Sequence, residues 1–291
     1  MLTYADYRTP AEFDSGYANS IDAAVVERWE ACFREASRKA LGHPHVGLAY
    51  GPDERNRIDL FPAPGAGPDA PVLVAIHGGL WFLFDKWMMH FLAPVWTAAG
   101  VHVACPNYRL APNASLDDIV ADCRRAIAFL HFGRVATGIG AGPMFVTGHS
   151  AAGQLASVMA STDWPEFDTR LPARLLRGFV GISGFYDIEP FRETGFQSQT
   201  LFTPGAYRRW NPVRLVRPGM PPGLLITGAK ESGLLHAMMD GYAGLLRGAD
   251  VPVETMDAPG EDHISVLSRL GDPYSDVHRR AMAKVRQWSA P

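Results

Sequence analysis

Ser150 is the residue of this chain best placed to do covalent chemistry. It lies in Gly148-His149-Ser150-Ala151-Ala152-Gly153, after the apolar run Met144-Phe145-Val146 and before the helix-forming run from Gln154 to Ala160. A strand, a tight turn of small residues carrying a serine, and then a helix make the local context of a nucleophile elbow, in which a strained turn exposes the hydroxyl. Gly148 supplies the small residue two positions before the serine. Two positions after it the G-x-S-x-G pattern has glycine, and this chain has Ala152. Serine also caps ordinary helices, so the pentapeptide alone leaves both readings open.

A serine hydroxyl is a weak nucleophile until a base takes its proton. The base needs an acid to orient it, and the developing oxyanion needs N–H donors. Behind a nucleophile elbow these parts follow in chain order: oxyanion loop, serine, acid, histidine. His77-Gly78-Gly79-Leu80-Trp81 directly follows the apolar run Val72–Ile76, and paired glycines free the backbone to turn its N–H groups toward a ligand. The expected oxyanion donors are Gly78, Gly79 and Ala151, with His77 as a brace for the loop. Glu231 follows Leu224-Leu225-Ile226-Thr227-Gly228-Ala229-Lys230 and fills the acid slot; Asp187 and Asp257 are rival carboxylates on other connections. His263, within Ala258-Pro259-Gly260-Glu261-Asp262-His263-Ile264, fills the base slot, and Asp262 beside it is expected to point elsewhere. The catalytic expectation is therefore Ser150, Glu231 and His263. Neither an HExxH pattern nor a partner for His43-Pro44-His45 suggests a metal site, so no metal and no cofactor are expected.

These residues need a scaffold of buried strands and covering helices. Short apolar runs at Gly47 to Tyr50, Arg57 to Phe61, Val72 to Ile76, Val101 to Cys105, Met144 to Thr147, Phe179 to Ser183, Leu224 to Thr227 and Val253 to Met256 read as strands. Helical patterns at Lys86 to Ala99, Leu116 to Phe132, Leu234 to Arg247 and Val266 to Trp288 lie between and after them, the last broken near Gly271-Asp272-Pro273. Such alternation predicts an α/β fold: a mostly parallel central sheet with helices on both faces. Ile21, Val25, Trp29, Cys32, Phe33, Ala36 and Ala40 recur at helical spacing, with Ser20 able to cap the start and Gly42 the end. Residues 1–45 thus read as an N-terminal helical extension and a candidate lid, and residues 46–291 as the main domain. A Phe-, Arg- and Pro-rich stretch at about 188–220 reads as an insertion over the sheet. The glycines of Thr137 to Gly142 precede a strand instead of following one, the wrong side for a dinucleotide loop.

Composition narrows the partners. The 291 residues are 47% apolar and 20% charged with a net charge of −3, which fits a globular protein with a sizeable core and gives no basic footprint for nucleic acid. No segment has the length and apolarity of a membrane span, and the N-terminus has no charged-then-apolar leader. Three widely spaced cysteines (Cys32, Cys105, Cys123) in apolar contexts read as free thiols in a reducing compartment, so a cytoplasmic location is expected. A homodimer stays open.

His77-Gly78-Gly79-Leu80-Trp81 with an aromatic-rich loop and Lys86 behind it, then Asn107-Tyr108-Arg109-Leu110-Ala111-Pro112, then Gly148-His149-Ser150-Ala151, resembles the α/β-hydrolases of the hormone-sensitive-lipase-like and kynurenine-formamidase-like group. The match runs from about Val46 to the C-terminus. Leu80 and Ala152 depart from the formamidase-like pattern, which has an aromatic residue and a glycine there. The resemblance implies an α/β-hydrolase fold and cofactor-free hydrolysis of a carboxylic ester or aryl formamide. In it Ser150 is the nucleophile, Glu231 the acid and His263 the base. Aromatic residues after the oxyanion loop and the following strand, namely Trp81, Phe82, Phe185 and Tyr186, are the expected contacts to a small apolar or aromatic substrate. Two further readings stay open: hydrolysis of another acyl bond on the same fold, such as a lactone or amide, and a non-catalytic relative that binds a ligand.

Overall fold

Val72–Ile76 (β3) and Met144–His149 (β5) are unbroken buried runs, as strands covered on both faces must be. In the computed structural model, which describes residue 11, residues 23–40 and residues 45–290, they lie side by side at the centre of an eight-stranded sheet. The other strands are β1 (His45–Ala49), β2 (Arg57–Phe61), β4 (His102–Pro106), β6 (Leu176–Ile182), β7 (Gly223–Gly228) and β8 (Val253–Ala258). Their order is β1-β2-β4-β3-β5-β6-β7-β8; β2 runs antiparallel to both its neighbours, and the pairs from β4 to β8 are parallel. The expected mostly parallel sheet is therefore present.

Alternate residues of each strand feed two separate cores. Val72, Val74, Ile76, Met144 and Val146 point to one face, where they pack with α2 (Leu116–Phe132), α3 (Ala151–Ser161) and α4 (Gly233–Gly248). Leu73, Ala75 and Phe145 point to the other, toward Phe33 of α1 (Ala23–Ala40) and α5 (Asp276–Ser289). At about 25 cal/mol per Å² of apolar surface, these two layers supply most of what holds the sheet in place. Ser115 caps α2 through a reciprocal pair of bonds with Asp118.

The expected helix from Lys86 to Ala99 is divided: Lys86–Leu92 is 3₁₀ and Ala93–Ala98 is α-helical. Pro94, at the start of the second piece, has no N–H to continue an α-helical ladder back into the first. Ser20 and Gly42 lie outside the described residues. The stretch between β6 and β7 consists of short helical turns, and its Phe191, Phe202 and Tyr207 are buried in the core that holds β3 and β5.

Candidate active site

Every residue singled out for chemistry follows the C-terminal end of a parallel strand: Gly78 and Gly79 after β3, Ser150 after β5, Glu231 after β7 and His263 after β8. That edge is where an open α/β sheet leaves a crevice. Ser150 has φ +59° and ψ −123°, which strains a residue with a side chain, and its hydroxyl does not cap α3. The turn around it is tight. A Cβ on Gly148 would strike the Ala152 carbonyl, and one on Gly153 would sit 2.5 Å from Gly184 Cα. Helix and strand can therefore cross only at glycine, and Ala152, itself fully buried, is accommodated at the departing position.

His263 Nδ1 lies 2.6 Å from Glu231 Oε2, and both side chains are buried. The other carboxylate oxygen is held as well: Oε1 accepts from Gly228 N at 2.7 Å and from Ser183 Oγ at 2.5 Å. Glu231 is thus a carboxylate fixed by three donors, with one oxygen reserved for the imidazole. Asp262 caps the turn after it, accepting from Ile264 N and Ser265 N. The rival carboxylates are engaged elsewhere, Asp187 with Asn211 and Asp257 with His236.

Ser150 and His263 line one cavity of about 160 Å³, together with Gly78, Gly79 and His149. The rest of its wall is Phe33, Leu80, Leu83, Phe84, Met88, Met89, Ile264 and Leu267. The loop after β3 is bent to form it: Gly79, Leu80, Trp81 and Phe84 all have positive φ. At roughly 1–3 kcal/mol for each such non-glycine residue, this shape persists only because neighbours hold it. Tyr108 is one of them. Its hydroxyl donates to His77 O at 2.9 Å and its ring stacks on His77 at 4.3 Å. Arg109, next in sequence, is clamped to buried Asp122 by Nε at 2.9 Å and Nη2 at 3.0 Å. The Asn107 to Pro112 motif therefore braces the loop after β3.

Ala151 is buried at the first position of α3. None of the four aromatic residues expected at the substrate is among the residues that line this cavity. Trp81 is fully buried, donates to Gln154 Oε1 at 3.0 Å, and packs edge-on against Phe191 and Phe202. Phe185 lies in the same aromatic cluster, Phe82 packs partly buried against it, and Tyr186 stacks on Tyr242 at 4.7 Å. The cavity's apolar wall instead includes Phe84 and residues without a sequence motif: Phe33, Leu83, Met88, Met89 and Leu267. Ser183 and His149 were also missed as partners. His149 donates from Nε2 to His263 O at 2.6 Å, and burial holds its pKa well below the ordinary histidine value.

The BD-FAE family model matches residues 58–235, more than half of the chain. The chain belongs to the BD-FAE family. Among curated relatives, this family member is 25% identical to a kynurenine formamidase of Danio rerio over 78% of its own length and 77% of the relative's. It is 22% identical to an isoprenylcysteine alpha-carbonyl methylesterase of Arabidopsis thaliana over 78% and 57%. Among solved structures, a candidate thioesterase from Silicibacter sp. TM1040 superposes with a TM-score of 0.73 at 27% identity, covering 90% of this chain and 96% of that one. The chain is an α/β-hydrolase of the esterase and arylformamidase-like group, and a hydrolase by kinship.

Proposed function

We propose that this chain is a serine hydrolase that cleaves a small carboxylic ester or aryl formamide through Ser150, His263 and Glu231 and an acyl-enzyme intermediate. The observation that carries the reading is the pairing of a strained, non-capping Ser150 with His263 in one cavity, with Glu231 2.6 Å from the far side of that imidazole. Names of relatives, a formamidase and a methylesterase, supply the two substrate classes.

In the proposed reaction Ser150 Oγ attacks the carbonyl carbon while His263 Nε2 takes its proton. A C–O bond forms and the carbonyl π pair moves to oxygen, where the N–H groups of Gly78, Gly79 and Ala151 receive it. Collapse expels the alcohol or arylamine, which leaves with the proton from His263. Water then repeats the sequence on the acyl-enzyme and frees the acid, and the serine regains its proton. Glu231 accepts from Nδ1–H, so the lone pair of Nε2 stays directed at Ser150. Each oxyanion donor is worth about 3 kcal/mol of barrier.

The test compares wild type with Ser150→Ala on p-nitrophenyl acetate and on an N-formyl arylamine, alongside labelling by a fluorophosphonate. Hydrolysis and labelling by wild type, both lost in the variant, support the reading, and the better substrate separates esterase from formamidase. An unlabelled, inactive wild type would overturn it and favour a ligand-binding protein. The N-terminal extension as a lid, the cytoplasmic location and a homodimer belong to the same proposal, the last testable by light scattering.

A further inference from the structure

The wall of the cavity beside Ser150 carries a chemical signature. None of the described residues lining it is Asp, Glu, Lys or Arg, and apart from His149, Ser150 and His263 their side chains are hydrocarbon or thioether. A carboxylate or ammonium brought into such a wall would lose its hydration with nothing to replace it, a heavy penalty. Its volume, about 160 Å³, compares with apolar protein cavities of about 150 Å³ that take up benzene.

One side of this wall comes from far away in sequence. Phe33 is 2% exposed and is wedged by Phe91 at 4.8 Å and Trp29 at 5.9 Å between ring centroids. Its helix, α1, is held in register by a buried polar chain. Ser37 Oγ is 2.8 Å from His90 Nδ1, and His90 Nε2 is 2.9 Å from Asp59 Oδ2. Asp59 also accepts from Gly47 N and faces Lys86 Nζ at 3.5 Å. Ser37 lies one turn beyond Phe33 on the same face of the helix, so this chain fixes where the Phe33 ring stands. Leu83, which also lines the cavity, is 42% exposed.

We propose that this cavity is a subsite for one uncharged hydrocarbon group of the substrate, the size of a phenyl ring or a chain of about four to six carbons, and that Phe33 sets the length it accepts. The inference rests on the hydrolase reading above and narrows it: the preferred substrate is a neutral ester with an apolar arm, and a zwitterionic amino-acid formamide fits this subsite poorly. Phe33, 2% exposed, acts as the specificity-determining residue, and Met88, Met89 and Leu267 line the same cavity.

The experiment measures kcat/KM for two series, p-nitrophenyl esters from acetate to dodecanoate and acetates of n-alcohols from ethanol to dodecanol. Wild type, Phe33→Leu, Phe33→Ala and Phe33→Trp are compared. The expected result is an optimum near four to six carbons in one series, moved at least two carbons longer by Ala or Leu and shorter by Trp. The series that moves tells which side of the scissile bond enters the subsite. A terminal carboxylate on the best chain should lower kcat/KM at least 100-fold. Identical length profiles in all four proteins, or no discrimination against the carboxylate, would overturn the subsite while leaving the hydrolase reading intact. Failure of wild type to cleave any ester or to be labelled at Ser150 would overturn both. Should the alanine variant fold poorly, the tryptophan variant, which only adds volume, still decides the matter.

Discussion

Replacing Glu231 with glutamine changes a single oxygen to NH₂, yet the structure determines which way that amide must face. Oε1 receives two donors, Gly228 N at 2.7 Å and Ser183 Oγ at 2.5 Å. An NH₂ in that position would meet the Gly228 N–H, donor against donor, so the amide oxygen takes the Oε1 site and the NH₂ turns to His263 Nδ1, 2.6 Å away in wild type. The imidazole then has to accept at Nδ1, its proton shifts to Nε2, and it can no longer take the proton of Ser150. A wrong tautomer in a Ser-His-acid arrangement lowers turnover by about 10⁴-fold, roughly 5.5 kcal/mol of barrier. Glu231→Gln should therefore lose on the order of 10³- to 10⁴-fold in kcat on a p-nitrophenyl ester at pH 7–8 with KM little changed, and fluorophosphonate labelling of Ser150 should slow in step. Adding Ser183→Ala removes one of the two donors that orient the amide and should return part of the loss. Activity of Glu231→Gln within tenfold of wild type would refute the reasoning, since it would mean that the carboxylate does not select the tautomer.

Gly153→Ala places a Cβ 2.5 Å from Gly184 Cα, backbone against backbone; urea unfolding should register a loss of roughly 1–3 kcal/mol, and an unchanged midpoint would mean that α3 can shift away. Burial lowers the His77 pKa to about 4, so the unfolded chain binds a proton that the folded one refuses. The corresponding stability is present above the unfolded value of about 6.5 and is lost as pH falls toward 4, to a total on the order of 3 kcal/mol. His77→Gln should flatten urea midpoints between pH 6.5 and 4, and an equally steep decline in the variant would assign the effect to other groups. Cys32 is exposed whereas Cys105 and Cys123 are buried, with burial raising both of their thiol pKa values; a thiol reagent should modify one cysteine in the native protein and three after denaturation, as read by mass spectrometry.

The scaffold was legible because its signals are local. Val72–Ile76 and Met144–Val146 are apolar runs followed by a glycine-containing turn, and a parallel strand whose two faces are both covered leaves no other pattern. Chain order then assigned Glu231 and His263 without knowledge of distances, and Glu231 does face His263. The cavity wall was not legible. Phe33, Met88 and Leu267 reach it from α1, the 3₁₀ segment and the short helix Ser265–Arg269, and each sits in an apolar stripe that reads as ordinary core. Trp81 and Tyr186 stood next to motif residues and were therefore expected at the substrate. A strained loop turns adjacent side chains in opposite directions, however, so closeness in sequence to Gly79 or Ser183 says little about which face a ring will occupy.

His149 shows what the geometry adds to a motif letter. A carbonyl oxygen can only accept, so the 2.6 Å contact to His263 O requires a proton on His149 Nε2. Burial, followed by the nearby His263 ring 4.5 Å away, disfavours a second proton on it. His149 is consequently a neutral donor that ties the strand before Ser150 to the backbone of His263, and in the proposed reaction it would bring no positive charge toward the His263 imidazolium. The Glu231 carboxylate faces that ring at 2.6 Å. In a water-poor cavity an opposed pair is worth far more than in solvent, and a like charge beside it would cancel much of the gain. In the proposed reaction His149 therefore helps by remaining uncharged, which its position next to Ser150 in sequence gives no hint of.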